Sequence, residues 1–364
     1  MLSIGIVGLP NVGKSTLFNA LTDSNILAAN YPFATIEPNT GIVPVPDERL
    51  TTLSKLYHDA PVKPATVTFV DIAGLVAGAS KGEGLGNQFL AHIRTCSAIV
   101  QVVRAFDDSN VIHVDDAHDT AKDIDVINTE LVLADLQTVT NRLPRLEKEA
   151  KANAKLKSLV EFVEQVKAVL DEGRPLWGEP EIINNESRGW LQQELQLLTL
   201  KPILYLFNLD EVKLTDTEMQ SRVKSLVSPA PALFVCAKLE DELRSLDAAD
   251  RTELLESYGV HESGLVQLIH TAYKTLGLQS YLTAGDKEVR AWTIPRGATA
   301  PQAAGVIHGD FERGFIAADV VSYPDLVDAG SLATARAAGK LRTEGKTYIM
   351  QPDDVVEFKF NVSK

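Results

Sequence analysis

The sequence predicts an α/β fold: a mostly parallel sheet with helices on both faces, an inserted antiparallel helical arm, and a smaller module of short strands. Three observations carry this. Several apolar, strand-like runs end in polar motifs. Two heptad-like seams occupy the middle of the chain. Gly and Pro become more frequent, with short strand patterns, over residues 281–364. At 364 residues the chain is long enough for two domains, or one with insertions. Its 45% hydrophobic content is that of a globular protein. No apolar run approaches the roughly 20 residues that span a bilayer. The amino-terminal residues have no basic leader, which predicts no signal peptide. Two cysteines, Cys96 and Cys236, offer neither a disulfide framework nor a metal spacing, and suit a reducing cytoplasm. A net charge of −14 argues against a general polyanion binder and confines any nucleic-acid contact to one face.

The first strand is read at residues 2–7. It leads into Gly8-Leu9-Pro10-Asn11-Val12-Gly13-Lys14-Ser15, which fits G-x-x-x-x-G-K-[ST], and a helix follows over residues 14–21. A glycine-rich turn points backbone N–H groups inward, and a helix N-terminus adds positive potential. Asn11, Val12, Gly13, Lys14, Ser15 and Thr16 are therefore expected to line nucleotide phosphates. Lys14 supplies a mobile charge for the outer phosphates and Ser15 a hydroxyl for Mg²⁺. A second buried strand at residues 67–70 ends in Asp71-Ile72-Ala73-Gly74. Asp71 is placed to hold Mg²⁺ through water, and the Gly74 N–H to approach a γ-phosphate closely. Residues 202–207 run into Asn208-Leu209-Asp210-Glu211, and residues 232–235 into Cys236-Ala237-Lys238. Residues 97–103 supply a further strand. Ligands in open α/β sheets bind outside the carboxyl ends of the strands. The motif order is that of GTPase-like switch domains; metabolic P-loop kinases lack the last two motifs.

Longer stretches are more specific: Asn30-Tyr31-Pro32-Phe33-Ala34-Thr35, the glycine-rich run from Gly78 to Gly86, and Val289-Arg290-Ala291-Trp292-Thr293-Ile294-Pro295. With these, essentially the whole chain resembles the Obg-like ATPase family of the YchF type, within the GTPase-like P-loop class. The resemblance implies a nucleotide domain over residues 1–278, interrupted by an arm at 120–198. It also implies a TGS domain, a ubiquitin-like β-grasp, over 281–364. The implied activity is slow hydrolysis of ATP to ADP and phosphate by a cytoplasmic monomer switching on ribosomes or translation-related partners. A GTPase switch of the same fold is the alternative. Thr35 matches the family's mobile switch threonine and is expected to join Ser15 on Mg²⁺. The Gly82, Gly84 and Gly86 stretch looks like a second switch.

The base is read by the third motif. Guanine-specific members of the class carry N-K-x-D, whose Asp accepts from guanine N1–H and the 2-amino group. Here Leu209 replaces the Lys and Glu211 the Asp. One extra methylene moves the carboxylate by about 1.5 Å, enough to break a bidentate contact. Asn208 is expected to bond adenine N6 and N7, with Leu209 packed on the ring face and Ala237 beside the base. The alternatives are a helix-capping Asn208, a surface Glu211, or a shifted loop that presents Asp210 to guanine.

For hydrolysis, Leu75 stands where many switch GTPases place a water-orienting Gln. His113, in a polar loop, is the candidate to position water or relay a proton; the alternative is a surface histidine with no role. Lys14 and Gly74 complete the expected catalytic set. Asn11 stands where potassium-activated relatives carry Asn, so its side-chain oxygen is a candidate K⁺ ligand. Otherwise it serves only to tolerate a left-handed turn.

In the arm, Val132, Leu136, Val139, Leu143, Leu146 and Ala150 form one seam, and Leu156, Leu159, Val163, Val166 and Leu170 the other. Pro144 is expected to kink or end the first helix. Lys148, Lys151, Lys155 and Lys157 cluster near the tip, either as an RNA or ribosome contact or as a solvated turn. In the last module, strands are read at 289–294, 315–321 and 355–362, with strand–turn–strand over 348–355 and a helix over 299–307. Trp292, Phe311, Arg313, Arg336, Lys340, Arg342 and Lys346 form either a basic-aromatic surface for RNA or, for Trp292, part of the core.

Overall fold

The computed structural model describes residues 2–22, 39–72, 85–106 and 119–361. Thr35, Gly74, Leu75 and His113, and most of the glycine-rich run, lie outside the described residues. The chain divides into two compact units, one of residues 1–42 and 68–268, the other of residues 43–67 and 269–364.

The strands of the chain's first half are β1 (Ser3–Gly8), β2 (Thr40–Pro44), β3 (Val62–Lys63), β4 (Thr66–Asp71) and β5 (Ala98–Arg104); β6 (Ile203–Asn208) and β7 (Ala232–Val235) follow the arm. Six of them form one sheet in the order β2-β4-β1-β5-β6-β7. β1 runs parallel to β4 and β5, β5 to β6, and β6 to β7. Every residue of β5 and β6 is buried, as expected for central parallel strands covered on both faces. The register pairs Ile6 with Asp71, Gly8 with Val102, Arg104 with Asn208, and Asn208 with Val235. All the polar motifs are thereby delivered to one edge of the sheet.

The arm begins at the helix α4. Counting from the amino terminus, the helices to that point are α1 (Lys14–Thr22), α2 (Glu48–Leu56), α3 (Leu85–Thr95) and α4 (Thr120–Ala152), and α5 (Lys157–Asp171) follows. Asp119 caps α4 by accepting from the N–H groups of Ala121 and Lys122. The two seams meet as expected: Val132, Val139, Leu146, Leu159, Val163, Val166 and Leu170 share one buried core, with Leu136, Leu143 and Leu156 packed against it. Pro144 does not end the helix, which continues to Ala152. A proline removes one backbone bond, but Val139 and Leu146 on either side are anchored in the α5 seam. The arm is also more than two helices. Leu176, Ile182, Leu191, Leu195, Leu197 and Leu200, from short turns after α5, close the same core.

Sequence patterning missed the side chain that fastens this arm to the sheet. Asp135 of α4 is fully buried. Its carboxylate accepts from the N–H groups of Leu198 and Thr199 and from the Thr199 hydroxyl, each at 2.7 Å. Those residues belong to the turn Leu198–Leu200, which leads into β6.

In the second unit, β8 (Leu278–Gly285), β9 (Glu288–Pro295), β10 (Phe315–Ser322), β11 (Arg342–Glu344) and β12 (Asp354–Phe360) join β3 in the order β11-β10-β12-β8-β9-β3. A helix at Ala300–Ile307 supplies Ala300, Ala303 and Ala304 to a core with Tyr281, Ile294, Val320 and Val356. A mixed sheet gripping one helix is the β-grasp arrangement. Thr299 and Gln302 open that helix with a reciprocal capping box.

Three expectations are corrected here. Residues 43–67 group with this unit rather than with the nucleotide domain, because β3 pairs parallel with β9. Residues 348–350 contribute only an isolated bridge, Ile349 to Thr299; the paired strand is β11. The basic-aromatic surface is largely charge-balanced. Arg313 pairs with Asp310, Arg336 with Asp319 at 3.5 Å, Lys340 with Asp325 at 3.1 Å and Arg342 with Glu344 at 3.4 Å. Trp292 packs against the core, donates to the Thr283 hydroxyl at 2.9 Å and is covered by the Arg290 guanidinium.

Burial pushes the Asp135 carboxyl up to about 6 from an ordinary 3.8, against the pull of its three donors. The native state therefore holds this proton more tightly than the unfolded chain. The associated stability is complete below about pH 4 and is lost as pH rises through about 6. Relative to Asp135→Asn, the wild type should lose on the order of 3 kcal/mol of unfolding free energy across that window. Urea denaturation of both proteins at several pH values measures this. A pH-independent difference would contradict it.

Candidate nucleotide site

The turn from β1 to α1 has the two conformations its sequence needs. Asn11 lies at φ 63° and Gly13 at φ 89°, both left-handed. Leu17 N–H bonds the Gly13 carbonyl at 3.0 Å, which starts α1. Ser15 and Thr16 are exposed in its first turn, which holds no acidic side chain. Orphan N–H groups and the positive end of the helix dipole therefore face outward at this end of the sheet. Lys14 is buried, 9% exposed, and its ammonium pairs with the Asp71 carboxylate at the end of β4. The first two motifs are thus in direct contact.

Asn208 has a structural role that its motif did not announce. It is 4% exposed. Its Nδ2 donates to the Val12 carbonyl at 3.0 Å, and its Oδ1 accepts the Ala237 N–H at 2.9 Å. With one of its donors and one of its lone pairs, the amide that was expected to read adenine ties the P-loop to the start of the Ala237–Leu243 helix. Gly13 is required by the same tie: a Cβ there would lie 2.3 Å from Asn208 Nδ2. Leu209 is also corrected. It is 2% exposed and its N–H bonds the Val235 carbonyl at 2.7 Å, so its side chain is core and offers no face to a base ring.

The acids of this motif are both paired. Glu211 Oε1 accepts from Lys238 Nζ at 2.8 Å, and Asp210 Oδ2 lies 3.2 Å from Lys213 Nζ. The Lys238 contact, aided by a backbone hydrogen bond, holds the Glu211 carboxyl below its usual range. Lys213 and Lys238 were not among the expected site residues. Cys236-Ala237-Lys238 did signal Lys238, by its place next to Ala237. Cys236 is buried and its thiol is pushed up by that burial, so it is a poor nucleophile.

The sequence matches two family descriptions. Residues 3–134 match one described as a 50S ribosome-binding GTPase, and residues 278–361 match YchF-GTPase_C, described as a protein of unknown function. Over 99% of this chain and 100% of its relative, it is 48% identical to the ribosome-binding ATPase YchF of Bacillus subtilis (strain 168). The chain belongs to the YchF family. It is also 50% identical to the ribosome-binding ATPase YchF of Pasteurella multocida (strain Pm70), over 98% of this chain and 99% of that one. A solved structure titled as the Schizosaccharomyces pombe YchF GTPase superposes with a TM-score of 0.87 at 38% identity, covering 98% of this chain and 97% of that one. The YchF carboxy-terminal match begins at residue 278, where β8 begins.

Replacing Asn208 with Ala leaves the Val12 carbonyl and the Ala237 N–H unpaired in a buried site. The expected cost is about 2–4 kcal/mol of stability. Affinity for ATP and GTP should fall together, by at least tenfold each, as titration calorimetry would measure. A selective loss of ATP binding would return Asn208 to direct adenine reading.

Proposed function

We propose that this chain hydrolyses ATP to ADP and phosphate slowly, and that its nucleotide state switches its engagement with the ribosome. The observation that carries this is the contact between Lys14 and Asp71 beside the exposed first turn of α1. It gathers a phosphate-binding cation, a carboxylate and a hydroxyl at the carboxyl edge of one parallel sheet. The names of the two bacterial relatives support ATP as the nucleotide and the ribosome as the partner. They disfavour the GTPase alternative.

The donor set fits Mg²⁺, which takes hard oxygen ligands and keeps several waters. Ser15 and Thr35 would hold it directly and Asp71 through water. When bound it would neutralise phosphate charge. Lys14 and the α1 N-terminus do the same from the protein side, stabilising the charge that spreads over the transferring phosphoryl group. Gly74 would offer its N–H to the γ-phosphate, and His113 would orient the attacking water where Leu75 replaces the usual Gln. Asn11 would contribute its side-chain oxygen to a K⁺ ion, which would add positive charge beside the phosphates. The backbone of Val12, Gly13 and Thr16 would line the phosphates, and Glu211 and Ala237 would shape the base end.

The ribosome-facing surface includes the arm tip. Lys148, Lys151, Lys155 and Lys157 are all exposed there, and none of the four makes an ion pair among the described residues. Phosphate contact by this group is the expected RNA component. The proposed protein is a cytoplasmic monomer; no described helix is long and apolar enough to cross a membrane.

The test is phosphate release from ATP with and without ribosomes, in K⁺ and in Na⁺, for the wild type and His113→Ala. The wild type should turn over faster with ribosomes and in K⁺. The variant should lose at least tenfold in turnover with its ATP affinity intact. Unchanged turnover in the variant would remove His113 from the mechanism.

A further inference from the structure

The pairing of both acids at the base end has a consequence for which purine is accepted. Guanine is recognised when a carboxylate accepts simultaneously from its N1–H and its 2-amino group. Adenine has an acceptor at N1 and no 2-amino group, so the same free carboxylate repels it. This chain carries two carboxylates in the motif, Asp210 and Glu211, and each is engaged by a lysine. Asp210 is paired within its own turn, three residues from Lys213. Glu211 is paired across the site, with a lysine 27 positions later in sequence.

That second pairing is built in by the fold. Asn208 Oδ1 accepts the Ala237 N–H, which fixes the end of β6 against the start of the Ala237–Leu243 helix that follows β7. Glu211 lies just beyond Asn208, and Lys238 just beyond Ala237. The Glu211 side chain is 23% exposed and that of Lys238 73% exposed. The acid is therefore sheltered toward the protein while its lysine reaches in from solvent.

We infer that Lys238 is a positioning residue for base selection: by holding the Glu211 carboxylate, it withholds from guanine the acceptor that guanine needs and removes the charge that adenine would oppose. The inference rests on the ATP reading above and deepens it. Glu211 alone does not select adenine; the Glu211–Lys238 pair does. A longer acid released from its lysine is flexible enough to reach a guanine edge.

The experiment uses the full-length chain with Mg²⁺ and measures Kd for ATP and for GTP by displacement of a fluorescent adenine nucleotide. The proteins are wild type, Lys238→Met, Lys238→Arg and the double variant Lys238→Met with Glu211→Gln. Lys238 is largely exposed, so methionine keeps the stem and removes the charge without disturbing the core. In Lys238→Met the ratio of the GTP Kd to the ATP Kd should fall at least fivefold, chiefly through tighter GTP. Lys238→Arg should keep the wild-type ratio. The double variant should restore it, because no carboxylate remains to be freed. An unchanged ratio in Lys238→Met overturns the inference, as does a double variant that stays as permissive as the single one. Wild-type preference for GTP would refute the ATP reading itself, and the shift in ratio between variants would still decide the role of Lys238.

Discussion

The side-chain amide of Asn208 is the contact on which the nucleotide end of this molecule depends. It donates to the P-loop at Val12 and accepts from the backbone at Ala237, while nearly sealed from water. A buried amide satisfied on both sides contributes only modestly in net free energy, but removing it strands two backbone groups at full desolvation cost. The tie therefore acts mainly through specificity. It allows one arrangement of three separate strand ends, and it explains why Gly13 must lack a side chain. Glu211 and Lys238 meet because each flanks one end of it.

Two further charged contacts are built on that frame. Lys14 and Asp71 pair where the P-loop meets β4, so the residues expected to neutralise phosphate and to hold the metal are already adjacent. An ammonium has three donors, so Lys14 can turn toward phosphate without leaving Asp71. At the other end of β6, Asp135 holds the turn that introduces that strand, and thereby anchors the arm. Strand β6 is thus fixed by a buried acid where it begins and by a buried amide where it ends. Arg94 at the end of α3 reaches the same region, donating to the Gln196 carbonyl and the Thr138 hydroxyl at 3.3 Å. The helix that follows the glycine-rich run is therefore hydrogen-bonded to the base of the arm.

Much of the fold was legible in the sequence, for reasons that also mark where legibility stopped. Strands β5 and β6 are buried throughout and β1 nearly so, and they read as unbroken apolar runs; β4 and the edge strand β7 are only partly buried but carry the same apolar pattern. The arm seams read correctly because a heptad repeat is imposed by packing, and the same packing overrode Pro144. The two-residue β3 carries too little pattern to be seen, and its pairing with β9 is set by contacts far apart in sequence. The site divides similarly. Val12, Gly13, Lys14 and Asp71 follow from motif chemistry. Asn208 was located by its motif, but its tie to the backbone on both sides was not legible, because an amide can pair with adenine, with backbone or with both, and only burial and geometry show the backbone pairing. The burial of Leu209 was not legible either. The lysines that neutralise Asp210 and Glu211, and the acids that neutralise the cations of the β-grasp unit, are tertiary pairings that composition does not reveal.

The account stands or falls on the Asn208 tie being a permanent part of the folded chain. Native-state hydrogen exchange at the Ala237 amide tests this most directly. Donated to a buried side-chain oxygen, that amide should be protected to the same degree as the central amides of β5 and β6, without any nucleotide added. The protection should vanish in Asn208→Ala. Exchange at Ala237 as fast as in exposed turns, with β5 and β6 still protected, would contradict the account.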